Sequence, residues 1–199
     1  MEFDVRLTAD GVPVVIHDDT VKRTTNGQGR VNELTRFDLL ALDAGSWMHR
    51  RFAGQRIPTL EETLLTIGSQ AMPVIELKVP IPPSVLLSHL RMFDLEHDAL
   101  VLSFEEDWLI PLRKASRDLS LGLLSDAWSN DLPQRAKSLA AEVLCLNVDI
   151  LGTGQVSASE ALGLEVWCFT ANDVGMVAAC AAMGVTGIIT DKPDLIRTR

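Results

Sequence analysis

Between residues 73 and 190 short apolar runs alternate with helical stretches, and this rhythm restricts the fold more than any other feature of the chain. Residues 73–78 (PVIELK), 99–104 (ALVLSF), 119–124 (LSLGLL), 143–148 (VLCLNV), 165–170 (EVWCFT) and 184–190 (GVTGIIT) read as strands. Helices are expected to start near Asp107, to cover Leu132 to Ala141 and, in an alanine-rich stretch, to run from Asn172 to Met183. Strand followed by helix, repeated, implies a parallel sheet covered by helices, whose strands are nearly all apolar. With Glu2 to Val5 as a further strand the count is seven, one short of a (β/α)₈ barrel. The expected fold class is therefore α/β, a (β/α)₈-type barrel lacking its first strand-helix unit, folded as a single domain over residues 1–199. Barrels of this kind typically run to about 250 residues and carry their active sites at the C-terminal ends of the strands.

Ahead of the repeat, Asp10-Gly11 separates residues 2–8 from Val12–Ile16 and suits a two-residue type I′ hairpin turn. Glu2 and Asp4 are two apart, so in a strand their side chains leave one face. A two-residue loop makes Ala9 face Val12 and puts Asp4 directly across from His17, with Cβ atoms roughly 4.5–5.5 Å apart. Glu2, Asp4 and His17 are then expected on one patch, and a longer loop shifts the pairing. The polar run from Asp18 through Arg23-Thr24-Thr25-Asn26-Gly27 forms a loop beside that patch. Residues 35–42 read as a short helix capped by Thr35 with Asp38, and Thr59 to Glu62 is a capping box for a helix ending about Ile67. Between them, Gly45 to Pro58 is a basic, aromatic loop whose His49 has no flanking acid and reads as a solvated loop histidine.

Glu76 and Lys78 share one face of their strand, and charges in an otherwise apolar parallel sheet need a reason. If Glu2, Asp4 and Glu76 meet at a barrel mouth, two carboxylates ~5 Å apart repel by roughly 3 kcal/mol at an effective dielectric near 20. Three together require a cation. Lys78 supplies part of it, and an all-oxygen cluster suits a hard divalent ion, Mg²⁺ or Ca²⁺, where zinc would take His or Cys. Such an ion polarises a phosphoryl oxygen, and His17 is the side chain suited to moving a proton near neutral pH. Together these residue types suggest metal-assisted hydrolysis of a phosphate ester. The formal net charge of −9 argues against nucleic acid or an anionic membrane surface as the main partner. The longest uncharged run, Val174 to Thr190, is broken by Gly175, Gly184 and Gly187 and reads as helix, turn and strand, not as a membrane span. Glu2, Asp4 and Arg6 stand where an export signal would be apolar, so a cytoplasmic location is expected. Cys145, Cys168 and Cys180, widely spaced in apolar surroundings, read as buried thiols.

Taken together, these motifs resemble the glycerophosphodiester phosphodiesterases, whose fold is a phosphatidylinositol-phospholipase-C-like TIM barrel. The run EFDVRLTADGVPVVIHDDTVKRTTNGQG resembles the family's second strand, hairpin and histidine loop. LDAGSWMHRRFAGQRIPTLEE, VIELK and GVTGIITDKPD resemble its following segment, its glutamate-lysine strand and its last strand. The resemblance implies that Glu2, Asp4 and Glu76 bind the divalent metal, that His17 works in acid/base catalysis, and that Lys78 lies near the phosphate. FTAN (169–172) resembles a segment that usually reads W-T-x-N, so Phe169 stands for a tryptophan at the glycerol end of the substrate. The substrate class implied is a small-molecule glycerophosphodiester, cleaved to an alcohol and glycerol 3-phosphate.

In this family a first strand carrying His-Arg-Gly and a helix opening with Glu-Asn-Thr come earlier, and this sequence begins after both. The resemblance makes the histidine of that segment the partner of His17. Loss of one general acid/base group costs about 10²–10⁴ in rate, so weak or absent activity is expected of the chain as given. Bare backbone edges at Glu2 to Val5 and Val185 to Thr190 are expected to favour a homo-oligomer. Two function classes stay open: a metal-dependent phosphodiesterase, and a non-catalytic metal- or phosphate-binding remnant of such a barrel. A related lipase-type phosphodiesterase is a third, which the RTTNG and IPTLEE segments fit less well.

Overall fold

The computed structural model describes residues 1–195. They divide into two compact units, Met1–Ala99 and the part from Leu100 onward.

In the first unit, β1 (Glu2–Leu7) pairs in parallel with β3 (Val74–Leu77) and antiparallel with β2 (Pro13–Val15). Phe3 and Val5 point into the core from one face of β1, which leaves Glu2, Asp4 and Arg6 on the other. The hairpin corrects the expected register. Val5 lies opposite Val15, Arg6 opposite Val14 and Leu7 opposite Pro13, and the Ile16 amide donates to the Asp4 carbonyl at 3.0 Å. Ile16, not His17, is thus the residue across from Asp4. The physical reason is the loop: Thr8 Oγ1 accepts from the Val12 amide at 2.9 Å, and the Gly11 amide donates to the Thr8 carbonyl at 3.0 Å. Ala9, Asp10 and Gly11 form a three-residue loop whose left-handed position is Gly11, at φ +76°. The same pairing reaches only the end of the edge expected to be bare: of Glu2 to Val5, Val5 is in register with β2 and Asp4 accepts from Ile16, while the rest of the pairing lies at Arg6 and Leu7.

β2 itself is tied to residues 58 and 59 by Val15 N–H donating to the Pro58 carbonyl at 2.9 Å and by a bridge between Val14 and Thr59. A buried cluster of Val14, Ile16, Val21, Val31, Leu39 and Ile57 anchors the loop that follows His17. Helices α1 (Arg36–Leu40) and α2 (Leu60–Ile67) both open with reciprocal capping boxes, Thr35 with Asp38 and Thr59 with Glu62, as the sequence predicts. The stretch between them is a loop with one 3₁₀ turn, Arg50–Phe52, and exposed His49 caps that turn by accepting from the Arg51 amide at 3.1 Å. Helix α3 (Pro83–Met92) follows β3 and buries Leu86, Leu87 and Leu90.

The second unit is a parallel sheet of β4 (Leu100–Ser103), β5 (Ser120–Ser125), β6 (Val143–Asn147), β7 (Glu165–Phe169) and β8 (Gly187–Ile188), in sequence order. Its connections are α4 (Glu106–Ala115), α5 (Leu132–Ser138), α6 (Thr153–Glu160) and α7 (Val174–Ala182). β4 is buried at every position and β6 at all but its last, as strands covered on both faces must be. β8 is far shorter than the expected 184–190. Past it, Ile189 still donates to the Cys168 carbonyl at 2.8 Å and accepts from the Ala171 amide at 3.0 Å; beyond Ile189, Asn172 Oδ1 accepts from the Asp191 amide at 2.9 Å and from Thr190 Oγ1 at 3.2 Å, so side-chain bonds take over from the ladder. Cys145, Cys168 and Cys180 are buried, as expected. Among the described residues no helix is long and apolar enough to cross a membrane.

Candidate active site

The site grows from two neighbouring parallel strands. Asp4 on β1 is the register partner of Glu76 on β3, and Glu2, two residues before Asp4, shares its face of β1. Carboxylate oxygens of Glu2, Asp4 and Glu76 all lie within 4.8 Å of one another. Lys78 emerges at the end of β3, where its ammonium is 3.2 Å from Asp4 Oδ1 and in direct ion contact with Glu76 Oε1. Among the described residues Glu2 forms no such ion pair, and Lys78 and the N-terminal ammonium act on it only at longer range.

The electrostatics record that imbalance. Burial raises the Glu2 carboxyl to about 7, and the charges of Asp4 and Glu76 push in the same direction. Burial also raises Glu76, against the opposing pull of Lys78. Burial alone would lower the Lys78 ammonium, but Glu76 and Asp4 outweigh it and its pKa is raised. Glu76 Oε1 is shielded from solvent without a well-directed hydrogen bond, so Lys78 meets it as a point charge. Three carboxylates and one ammonium leave two negative charges, which one divalent cation balances. An all-oxygen donor set, a buried acceptor short of a donor and a doubly negative deficit fit a hard divalent ion.

His17 lines the same cavity, of about 390 Å³, as Glu2 and Asp4, although it is not opposite Asp4 in the sheet. β2 ends at Val15, so His17 lies beyond the strict alternation of the strand. Its backbone is tied down by Arg6, whose Nε donates to the His17 carbonyl at 2.9 Å and whose Nη1 reaches the Lys78 carbonyl at 3.5 Å. Its ring is engaged by Asp18: Nδ1 and Oδ1 are 2.9 Å apart. Asp18 in turn accepts two bonds from Arg23, Nε to Oδ2 at 2.6 Å and Nη2 to Oδ1 at 2.7 Å. Arg23, Trp47 and Arg56 also line the cavity.

Of the residues the sequence singles out, Glu2, Asp4, Glu76, Lys78 and His17 are brought together within the first unit. Phe169 ends β7 in the second unit, where its ring packs edge-on against Phe104 with centroids 5.7 Å apart. Sequence reasoning passed over Arg6, Asp18 and Arg23 as site residues. Arg6 carried a usable signal, since it continues the Glu2, Asp4 face of β1, whereas the Asp18 and Arg23 pair is made by a loop without periodicity.

Comparison with known proteins gives a consistent result. The model of the glycerophosphoryl diester phosphodiesterase family matches residues 1–195. The chain is 33% identical over 207 residues to a glycerophosphodiester phosphodiesterase of Caldanaerobacter subterraneus subsp. tengcongensis, across 98% of this chain and 83% of that protein. It is 32% identical over 203 residues to one of Bacillus altitudinis, again across 98% and 83%. Among solved structures, an Oleispira antarctica phosphodiesterase in complex with the product sn-glycerol-3-phosphate superposes with a TM-score of 0.91 at 29% identity, covering 98% of this chain and 82% of that one. A glycerophosphodiester phosphodiesterase from Agrobacterium tumefaciens gives 0.86 at 30%, covering 98% and 84%. The fold class is that of these proteins, an α/β barrel of the TIM type.

Proposed function

The chain belongs to the glycerophosphoryl diester phosphodiesterase family, a family of phosphoric diester hydrolases, and from that premise we propose that it hydrolyses glycerophosphodiesters to an alcohol and glycerol 3-phosphate with one Mg²⁺ or Ca²⁺ as cofactor. The observation that carries this reading is the convergence of Glu2, Asp4 and Glu76, with their oxygens within 4.8 Å of one another and Lys78 in ion contact with two of them.

Glu2, Asp4 and Glu76 would hold the ion. When bound, a divalent cation acts as a Lewis acid on a phosphoryl oxygen. Lys78, placed beside the acids, offers an ammonium to a non-bridging phosphate oxygen. His17 moves the proton: the oxygen of water ends on phosphorus, the bond from phosphorus to the alcohol oxygen breaks, and that oxygen leaves protonated. Phe169 is proposed for the glycerol end on the resemblance of residues 169–172 alone. The sn-glycerol-3-phosphate held by the Oleispira antarctica relative supports the same substrate class for this chain.

The test is release of glycerol 3-phosphate from glycerophosphocholine by the full chain, with Mg²⁺ or Ca²⁺ and with a chelator. Release that needs the ion and falls by about 10²-fold or more in Glu76→Gln supports the reading. Turnover that persists in chelator contradicts it. Metal binding without any release would favour the second class, a non-catalytic metal- and phosphate-binding barrel.

A further inference from the structure

We propose that Asp18, clamped by Arg23, is a positioning residue that fixes the tautomer and orientation of His17, leaving Nε2 as the nitrogen that exchanges the proton. This rests on the reading of His17 as the proton-transfer group. Ionised, a carboxylate only accepts hydrogen bonds, so the 2.9 Å contact between Nδ1 and Asp18 Oδ1 places the imidazole proton on Nδ1. The lone pair of the neutral ring is then on Nε2.

Arg23 makes that assignment firm. Its two parallel bonds to Asp18, at 2.6 and 2.7 Å, hold the carboxylate in one plane and one charge state. Asp18 is pulled well below the usual carboxylate range, first by Arg23 and then by His17. Asp18 therefore stays an acceptor at any pH where His17 works, and it stabilises the imidazolium that forms when Nε2 takes a proton. Arg6 completes the support from the other side, since its bond to the His17 carbonyl fixes the backbone from which the ring projects. The ring itself is 61% exposed, so packing does not orient it. The hydrogen bond to Asp18 is what can.

Asp18→Asn keeps the shape and removes the obligatory acceptor. An asparagine amide can donate to Nδ1, which leaves the ring protonated on Nε2, the tautomer that cannot accept a proton there. Two measurements on the full chain test the idea. The first is the ¹⁵N spectrum of the His17 imidazole, which reports the tautomer without any turnover. A proton on Nδ1 in the unsubstituted chain and its transfer to Nε2 in Asp18→Asn are expected. The second is steady-state kinetics with glycerophosphocholine, where Asp18→Asn is expected to lower kcat by about 10²-fold or more with KM within about twofold. Metal affinity by calorimetry is expected to be unchanged. A neutral His17 protonated on Nε2 in the unsubstituted chain, or a kcat for Asp18→Asn within twofold of it, overturns the proposal. Failure of the premise looks different: His17→Ala would then itself turn over normally.

Discussion

Glu2 is the acid of the candidate cluster that lacks an ion pair among the described residues. It sits with two other carboxylates, and Lys78, paired with Asp4 and Glu76, acts on it only at longer range. Its carboxyl is raised from the ordinary 4.5 to about 7, chiefly by burial. An acid that holds its proton more tightly in the folded than in the unfolded state makes the fold less stable as pH rises through that window, because the unfolded chain sheds the proton first. In chelator, the melting temperature is therefore expected to fall between pH 4.5 and about 7 more steeply for the unsubstituted chain than for Glu2→Gln. Parallel pH dependence of the two proteins would remove Glu2 from the cluster. At the residue scale the site was legible where it obeyed strand alternation: Glu2 with Asp4, and Glu76 with Lys78. The Asp18 and Arg23 clamp was not, because a loop's hydrogen bonds follow backbone angles that no side-chain period records.

The hairpin shows how an element can be read correctly in kind and wrongly in register. Asp10-Gly11 does mark the turn, but Thr8 caps the Val12 amide and adds a residue to the loop, so every cross-strand pair slips by one. Gly11, at φ +76° with no atom near its missing Cβ, is needed for its backbone and not for space. Gly11→Ala is expected to cost about 1–2 kcal/mol in chemical denaturation, with metal affinity unchanged, since the strain is local and distant from the carboxylates. A variant as stable as the parent would mean that the three-residue loop is wrong. Elsewhere the clearest elements were those with a strong local signature. The two capping boxes mark α1 and α2, and the apolar runs mark β4 to β7. Helices α3 and α6 passed unremarked for physical reasons. α3 follows a proline-rich stretch and starts without a side-chain cap. α6 (TGQVSASE) buries only Val156 and Ser159, so it has no apolar stripe to show.

For the molecule as a whole, the repeat of strand and helix was enough to give the barrel class, because parallel strands buried on both faces leave an apolar signal that little else imitates. The charges that interrupt that signal then point to the chemistry. Glu76 stands in a strand otherwise made of Val74, Ile75 and Leu77, all buried, and a lone acid there is retained against a desolvation cost of several kcal/mol. A role as one of the three proposed ligands of a divalent ion gives that cost a purpose. Titration calorimetry of Mg²⁺ and of Ca²⁺ into the metal-free chain and into Glu76→Gln tests this most directly. One ion bound per chain, with the heat lost or the affinity lowered at least tenfold in Glu76→Gln, is the predicted result; equal heats for the two proteins, or none for either, would contradict it.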